Sequence, residues 1–156
     1  FKELEIAPGR KITKEQVHKQ MLAKAFGEAQ KSSDWWRQIG AVLVRDGKVI
    51  VESYNANNPS DYSLDALGDP RSNFNAGERF DLVNTIHAEA HAIALAAKKG
   101  LVLEGASLYV TTFPCPTCAR LAARAGVKKV YYSKGYSLLD AEKILKDFGV
   151  EIILVK

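Results

Sequence analysis

Residues 85–126, TIHAEAHAIALAAKKGLVLEGASLYVTTFPCPTCARLAARAG, decide the fold because they predict a helix, a strand and a second helix in direct succession. The first helix is predicted from Thr85 to Lys99, where strong helix formers dominate, and Gly100 suits its C-terminal cap. A strand is predicted over residues 107–112, and a helix of small residues from about 116 to 125. This succession is typical of a sheet covered by helices.

The segments before this stretch differ in their periodicity. Apolar residues recur at helical spacing over residues 13–30, and residues 13–16 (TKEQ) have the pattern of a capping box. An apolar run over residues 39–45 and a β-branched run over 48–54 predict a hairpin. Residues 55–81 show almost no apolar periodicity, so we expect a long loop there that borders the active site.

The C-terminal part continues the alternation of strands and helices. Strands are predicted over residues 128–133 and 150–155, with a helix over 138–148 between them. The whole order predicts an α/β protein with three layers, α/β/α, in which a five-stranded mixed sheet carries helices on both faces. At this length we expect a single domain over residues 1–156.

Composition excludes several classes of protein. Of the 156 residues, 47% are hydrophobic and 26% charged, which is far from the disordered and collagen-like classes. The longest apolar run, Ala92–Ala97, is far shorter than the roughly 18 residues that a membrane span needs, so we expect a cytoplasmic protein without a membrane partner. The formal net charge of +4 suits an anionic ligand such as a phosphorylated substrate or nucleic acid.

Both cysteines of the chain lie three positions apart, at Cys115 and Cys118. This spacing argues for metal or redox chemistry in a reducing compartment rather than a disulfide scaffold. A catalytic zinc ion takes three protein ligands and keeps one position open, and His87 is the natural third ligand. Glu89 then stands two residues from a ligand, where it can pass protons without coordinating the metal. The pattern H-x-E followed by P-C-x-x-C is typical of zinc nucleobase deaminases.

Other interpretations of these residues remain open at this point. A thioredoxin-like CxxC also lies between a strand and a helix, but it assigns no role to His-Ala-Glu. A zinc protease would pair His87 with His91, yet it requires H-E-x-x-H, whereas this chain has H-A-E-A-H. His91 is therefore either a core histidine or a residue that contacts the substrate. For Glu89 the plain alternative is an acidic residue that complements the helix dipole.

Two further hypotheses concern what the metal site would serve. The adjacent Trp35 and Trp36 can stack on bases, so a deaminase that acts on a base in single-stranded DNA or RNA, or in tRNA, is the second choice. Packing of the two indoles in the core or at its rim is the plainer explanation. A zinc-stabilised binding module without activity would need a fourth protein ligand, and His91 is the only nearby histidine that can supply it.

Five segments give the chain a family resemblance. They are Lys31-Ser32, Gln38-Ile39-Gly40-Ala41, Tyr54-Asn55, His87-Ala88-Glu89 and Phe113-Pro114-Cys115. Over nearly its whole length the chain resembles the deoxycytidylate deaminase branch of the cytidine deaminase superfamily. Two residues favour a nucleotide substrate. tRNA deaminases usually carry Glu at the position of Phe113, and free cytidine deaminases usually carry Cys at the position of His87.

The resemblance implies a function and an assembly. It implies three layers of α/β/α, one catalytic zinc ion and a homo-oligomer, either a dimer or a hexamer. It further implies hydrolysis of dCMP to dUMP and ammonia, with Glu89 moving protons to ring N3 and to the leaving amino group.

The resemblance also implies residues that bind the substrate. Asn55 is expected to bind the base or sugar, and the segment Lys31-Ser32 is expected to approach the phosphate. Lys134 or Tyr136 would assist there.

Overall fold

A six-stranded mixed sheet forms the middle layer of the computed structural model, which describes residues 11–75, 78–135 and 139–156. Its strands follow the spatial order β1-β8-β7-β6-β2-β3. The pairs β2–β3 and β2–β6 are antiparallel, whereas β6–β7, β7–β8 and β1–β8 are parallel. A separate two-stranded sheet pairs β4 with β5. The strands are β1 Lys11–Thr13, β2 Gly40–Arg45, β3 Lys48–Tyr54, β4 Ala56–Asn57, β5 Thr85–Ile86, β6 Ser107–Thr112, β7 Lys129–Lys134 and β8 Glu151–Val155.

Helices cover both faces of this sheet. On one face α1 contributes Leu22 and Ala25 to a cluster with Val42, Tyr109 and Tyr131 from the strands. On the other face the larger core contains the buried alanines and leucines of α3, α4 and α5. Among the residues that the structure describes, no helix has both the length and the apolar character needed to cross a membrane. The helices are α1 Gln16–Ala29, α2 Ser63–Leu67, α3 Ala88–Lys98, α4 Pro116–Arg124 and α5 Leu139–Asp147, with short 3₁₀ turns at Pro70–Asn73 and Phe80–Leu82.

These layers confirm the predicted α/β/α class, but the predicted number of strands is wrong. The sheet has six strands rather than five because Lys11–Thr13 pairs in parallel with the last strand, placing Lys11 opposite Ile153. Three residues that begin with an exposed lysine carry too little alternation of apolar and polar residues to predict a strand.

The predicted capping box is also wrong. The first helix begins at Gln16, with Glu15 at its N-cap and no side-chain cap. Thr13 instead belongs to β1, where its carbonyl accepts a hydrogen bond from the backbone N–H of Lys156 at 3.0 Å. The side chain of Thr13 accepts a hydrogen bond from the backbone N–H of Glu15 at 3.3 Å. Thr13, which the sequence pattern predicted to cap the helix, therefore pairs in a strand instead.

The first helix packs directly on the backbone of β2 at Gly40. A Cβ atom placed on Gly40 would lie 1.8 Å from the carbonyl oxygen of Ala25 and 2.7 Å from the backbone nitrogen of Ala29. Backbone atoms inside a helix cannot move aside without breaking its hydrogen bonds. Only glycine therefore permits α1 to lie this close to the sheet.

We expect Gly40→Ala to lower the free energy of unfolding by about 3 kcal/mol or more, because the added methyl overlaps the backbone of α1. Urea unfolding followed by circular dichroism measures the change. Gly27→Ala in the same helix is the matched control, since no atom lies within 4 Å of its added Cβ. It should raise the stability by about 0.5–1 kcal/mol. Equal stability of Gly40→Ala and the wild type would contradict the packing argument.

Candidate metal centre

Three potential metal ligands come together at the beginnings of two helices. His87 is the N-cap of α3, Cys115 is the N-cap of α4, and Cys118 lies in the first turn of α4. The Nδ1 atom of His87 lies 3.5 Å from the sulfur of Cys115 and 3.4 Å from the sulfur of Cys118. Two helix N-termini therefore point their donors at one common position.

The spacing of the three donor atoms fits tetrahedral zinc. Bond lengths of about 2.3 Å to sulfur and about 2.0–2.1 Å to nitrogen place the N and S corners of a tetrahedron about 3.6 Å apart. The two measured N–S distances agree with this value. All three donor atoms lie within 4.8 Å of one another, and the described part of the chain contains no other residue in this group. The set offers three protein ligands and leaves one coordination position for water or substrate.

The electrostatics of the cysteines favour a cation. The hydrogen bond from the thiol of Cys118, with a further contribution from His87, lowers the pKa of Cys115 to about 4. The hydrogen bond between the two sulfurs, in which Cys118 keeps its proton, raises the pKa of Cys118 above its ordinary value. A divalent cation between them would stabilise both thiolates at once.

Glu89 lies beside these ligands in the first turn of α3. Its side chain is buried, with only 4% of the residue exposed, and burial raises the pKa of its carboxyl to about 7. A carboxyl of this kind can hold or release a proton near neutral pH. It stands outside the group of mutually close metal donors, as the sequence hypothesis requires of a proton carrier.

His91 lies one helical turn after His87, and its contacts lead away from the metal ligands. Its Nδ1–H donates to the carbonyl oxygen of Tyr54 at 2.9 Å, and its ring meets the ring of Tyr54 edge to face, 6.0 Å between centroids. This histidine belongs to none of the donor groups found in the described residues. It therefore ties α3 to the end of β3 and supplies no fourth ligand.

Asn55 has a scaffolding role in this structure. Its Oδ1 accepts from the N–H of Ile39 at 2.8 Å, and its Nδ2 donates to the carbonyl of Arg37 at 2.7 Å. Its own carbonyl accepts from the hydroxyl of Ser32 at 2.7 Å. These contacts hold the segment before β2 against the end of β3.

The remaining residues predicted to bind substrate are placed differently. Lys31 is exposed in the turn that follows α1, and its Nζ lies 2.5 Å from a carboxylate oxygen of Glu28 in that helix. Tyr136 falls outside the described residues.

The structure also contains a buried ionic cluster that no sequence pattern indicated. Asp34 is its centre: its Oδ1 accepts from the backbone N–H groups of Trp36 and Arg37 at 2.8 and 3.0 Å. Its Oδ2 accepts from the hydroxyl of Thr85 at 2.6 Å and from the guanidinium of Arg71 at 3.1 Å. Because Thr85 stands two residues before His87, this carboxylate fixes the strand that leads into the metal site.

Asp69 completes the cluster from the segment between β4 and β5. It accepts from the guanidinium of Arg71 at 2.7 Å and from the indole N–H of Trp36 at 2.7 Å. The bonds from Arg71 lower the pKa of Asp69 to about 2. Burial alone would raise the pKa of Asp34, but the bonds from Thr85 and two backbone N–H groups outweigh it and lower that pKa.

The two tryptophans have separate environments. Trp36 is half-exposed and is tied to Asp69 by its indole N–H. Trp35, also half-exposed, lines a pocket of about 460 Å³. The other walls of that pocket come from the segment between β4 and β5 and from the residue just before β5: Leu67, Gly68, Asp69, Pro70, Ser72, Asn73 and Asn84.

Comparison with known proteins places this site in a family. Residues 15–134 match the family model described as the cytidine and deoxycytidylate deaminase zinc-binding region. The deoxycytidylate deaminase of Enterobacteria phage T4 is 30% identical over 86% of this chain and 86% of its own length. The human deoxycytidylate deaminase is 34% identical over 71% of this chain and 61% of its own length.

A solved structure agrees with these relatives. The dCMP deaminase of cyanophage S-TIM5, crystallised in complex with dCMP and dUMP, superposes with a TM-score of 0.70 at 28% identity. The match covers 90% of this chain and 97% of the cyanophage chain.

We expect Asp69→Asn to reduce the free energy of unfolding by about 2 kcal/mol at neutral pH, because the folded protein holds the pKa of Asp69 near 2. A depressed pKa contributes stability above the ordinary pKa of about 4, and this contribution disappears as the pH falls toward about 2. The gap between wild type and variant should therefore close over that range in urea titrations.

Asp81→Asn is the matched control for this test. Asp81 also pairs with an arginine two residues away, but both partners of that pair are exposed. Its substitution should change stability little at any pH. A gap for Asp69→Asn that stays constant from pH 7 to pH 2 would show that its carboxylate is not stabilised by folding.

Proposed function

Because the chain belongs to the cytidine and deoxycytidylate deaminase family, we propose that it is a zinc-dependent hydrolase that converts dCMP and water to dUMP and ammonia. The observation that carries this proposal is the group of His87, Cys115 and Cys118 beside the buried carboxyl of Glu89. The relatives named deoxycytidylate deaminase, and the cyanophage enzyme solved with dCMP and dUMP, support this choice of substrate.

We assign the zinc ligands to Nδ1 of His87 and to the two cysteine sulfurs. When bound there, zinc acidifies water and so makes a hydroxide nucleophile available near neutral pH. The positive ends of α3 and α4 meet at this position and help to keep both sulfurs deprotonated. Three protein ligands leave room for reaction chemistry, which a closed structural site would not.

Glu89 is assigned the proton transfers. Its carboxylate takes a proton from the attacking water as the water oxygen bonds to C4 of the cytosine ring, and it gives that proton to N3. It then takes the proton of the new hydroxyl group at C4 and gives it to the amino group on the same carbon. The bond between C4 and the exocyclic nitrogen breaks, ammonia leaves, and the carbonyl of uracil remains. Burial suits Glu89 to both halves of this cycle, since a pKa near 7 allows the carboxyl to accept and to donate.

Two further expectations accompany this proposal. Association into a dimer or a hexamer is implied by the family resemblance. A cytoplasmic location is expected because the spacing of the two cysteines suits a reducing compartment.

Glu89→Gln should reduce kcat by at least about a hundredfold while the protein keeps its zinc. The amide is nearly the same size as the carboxyl but cannot take up the proton. Turnover is followed by ultraviolet absorbance, and metal content by elemental analysis, with about one zinc per chain expected in both proteins. Cys118→Ser is the contrasting variant and should lose zinc together with activity. Near-normal turnover of a zinc-loaded Glu89→Gln would remove Glu89 from the mechanism.

A parallel deamination assay with dCMP, deoxycytidine, cytidine monophosphate and a single-stranded oligonucleotide tests the substrate. We expect the highest kcat/KM with dCMP. Preference for the oligonucleotide would favour a polynucleotide deaminase instead, with Trp35 as a base-stacking residue. Zinc binding without turnover of any of the four would indicate a non-enzymatic zinc module.

A further inference from the structure

The histidine ligand of the metal centre is supported differently from the two cysteines. Cys115 and Cys118 belong to the start of α4, which follows β6, a strand with a neighbour on either side in the main sheet. His87 follows β5, which belongs to the separate two-stranded sheet with β4. Each strand of that small sheet is only two residues long. The direction from which the imidazole approaches the metal therefore depends on contacts made outside the main sheet.

Thr85 connects this short strand to its surroundings through its side chain. Its Oγ1 lies 2.6 Å from Oδ2 of Asp34 and 2.9 Å from Oδ1 of Asn57, its partner in β4. Residues two positions apart in an extended segment project to the same face, and the backbone of His87 is extended, with φ −64° and ψ 147°. A displacement of Thr85 therefore displaces the imidazole of His87 as well.

The carboxylate of Asp34 provides a fixed point for Thr85. Its other oxygen, Oδ1, accepts from two backbone N–H groups of its own turn at 2.8 and 3.0 Å. Only 4% of the residue is exposed, so water does not compete for these bonds. The bond from the hydroxyl of Thr85 to this buried anion is charge-assisted, which makes it stronger than a bond between neutral groups.

The oxygen that accepts from Thr85 also accepts from Arg71. Nη2 of Arg71 lies 3.1 Å from Oδ2 of Asp34, and the same guanidinium donates to Asp69 at 2.7 Å from Nη2 and at 3.0 Å from Nε. Two carboxylates thus hold the guanidinium in place. Because the bonds of Arg71 and Thr85 end on one atom, loss of either bond changes the position and the charge that the other one meets.

We propose that Arg71, Asp34 and Thr85 are positioning residues that act in series to orient His87, and that this relay sets the affinity of the enzyme for zinc. The inference rests on the zinc site of the proposed function. Outer contacts that orient a metal-ligating side chain change metal affinity by roughly ten- to a hundredfold when they are removed. Arg71 acts on the metal ligand through the carboxylate.

Zinc affinity measures the relay without catalysis. Zinc-loaded protein is titrated to equilibrium with a chromophoric chelator, and circular dichroism of the same samples shows that each variant stays folded. Thr85→Val removes the hydroxyl and should weaken zinc binding about tenfold, whereas Thr85→Ser keeps the hydroxyl and should stay within about twofold of wild type. A threonine that only filled space would give the opposite order, because valine preserves its volume better than serine.

Arg71→Met tests the far end of the relay. It should also weaken zinc binding about tenfold, because Oδ2 of Asp34 loses the partner that holds it. Combined with Thr85→Val, the loss should stay near tenfold, well short of the roughly hundredfold product expected of independent effects. Should Arg71→Met fail to fold, the comparison of valine with serine at position 85 still decides.

Arg79→Met and Thr13→Val are the matched controls. Arg79 belongs to the same segment between β4 and β5, but it pairs with an exposed carboxylate, that of Asp81, at 2.6 Å. Thr13 is a strand threonine in β1, at the far edge of the main sheet. Both variants should bind zinc as the wild type does.

Two results would overturn the relay. One is a zinc affinity of Thr85→Val within about twofold of wild type, and the other is a double variant whose loss equals the product of the two single losses. Failure of the proposed function looks different. A wild type that binds zinc but deaminates no cytosine compound would contradict that function, while the zinc affinities of the variants would still decide on the relay. A wild type that binds no zinc would contradict both.

Discussion

The carboxylate of Asp34 is the contact on which the arrangement of the site depends. Four donors satisfy it: two backbone N–H groups in its own turn, the hydroxyl of Thr85 and the guanidinium of Arg71. These donors belong to three parts of the chain that are far apart in sequence. A buried carboxylate is costly unless it is fully hydrogen-bonded, so the three parts keep their positions together or lose them together.

The metal centre depends on small residues behind its ligands. Alanines dominate the buried faces of α3 and α4, which lets both helices approach the sheet and one another. Their N-termini then meet, and His87 and the cysteines converge without any long loop. The same closeness buries Glu89, and burial is what raises the pKa of its carboxyl to about 7.

The sequence pattern predicted the elements whose formation depends on interactions between residues close together in the chain. The helix around His87, the cysteine turn and the hairpin all follow from spacing within a few residues, and the family match confirms the resemblance that these motifs carry. The ionic cluster could not be predicted, since Asp34 and Arg71 are 37 positions apart and neither has a distinctive neighbourhood. The short strand β1 was not predicted for a related reason, because its partner β8 lies near the other end of the chain.

The first strand also limits how copies of this protein can associate. It occupies the edge of the sheet beside β8, yet it is only three residues long, and Lys11 there forms an ion pair with Glu151 at 2.6 Å. A short, charged edge is a poor template for another strand. Growth of the sheet from one molecule into the next is therefore disfavoured along the described residues of this edge.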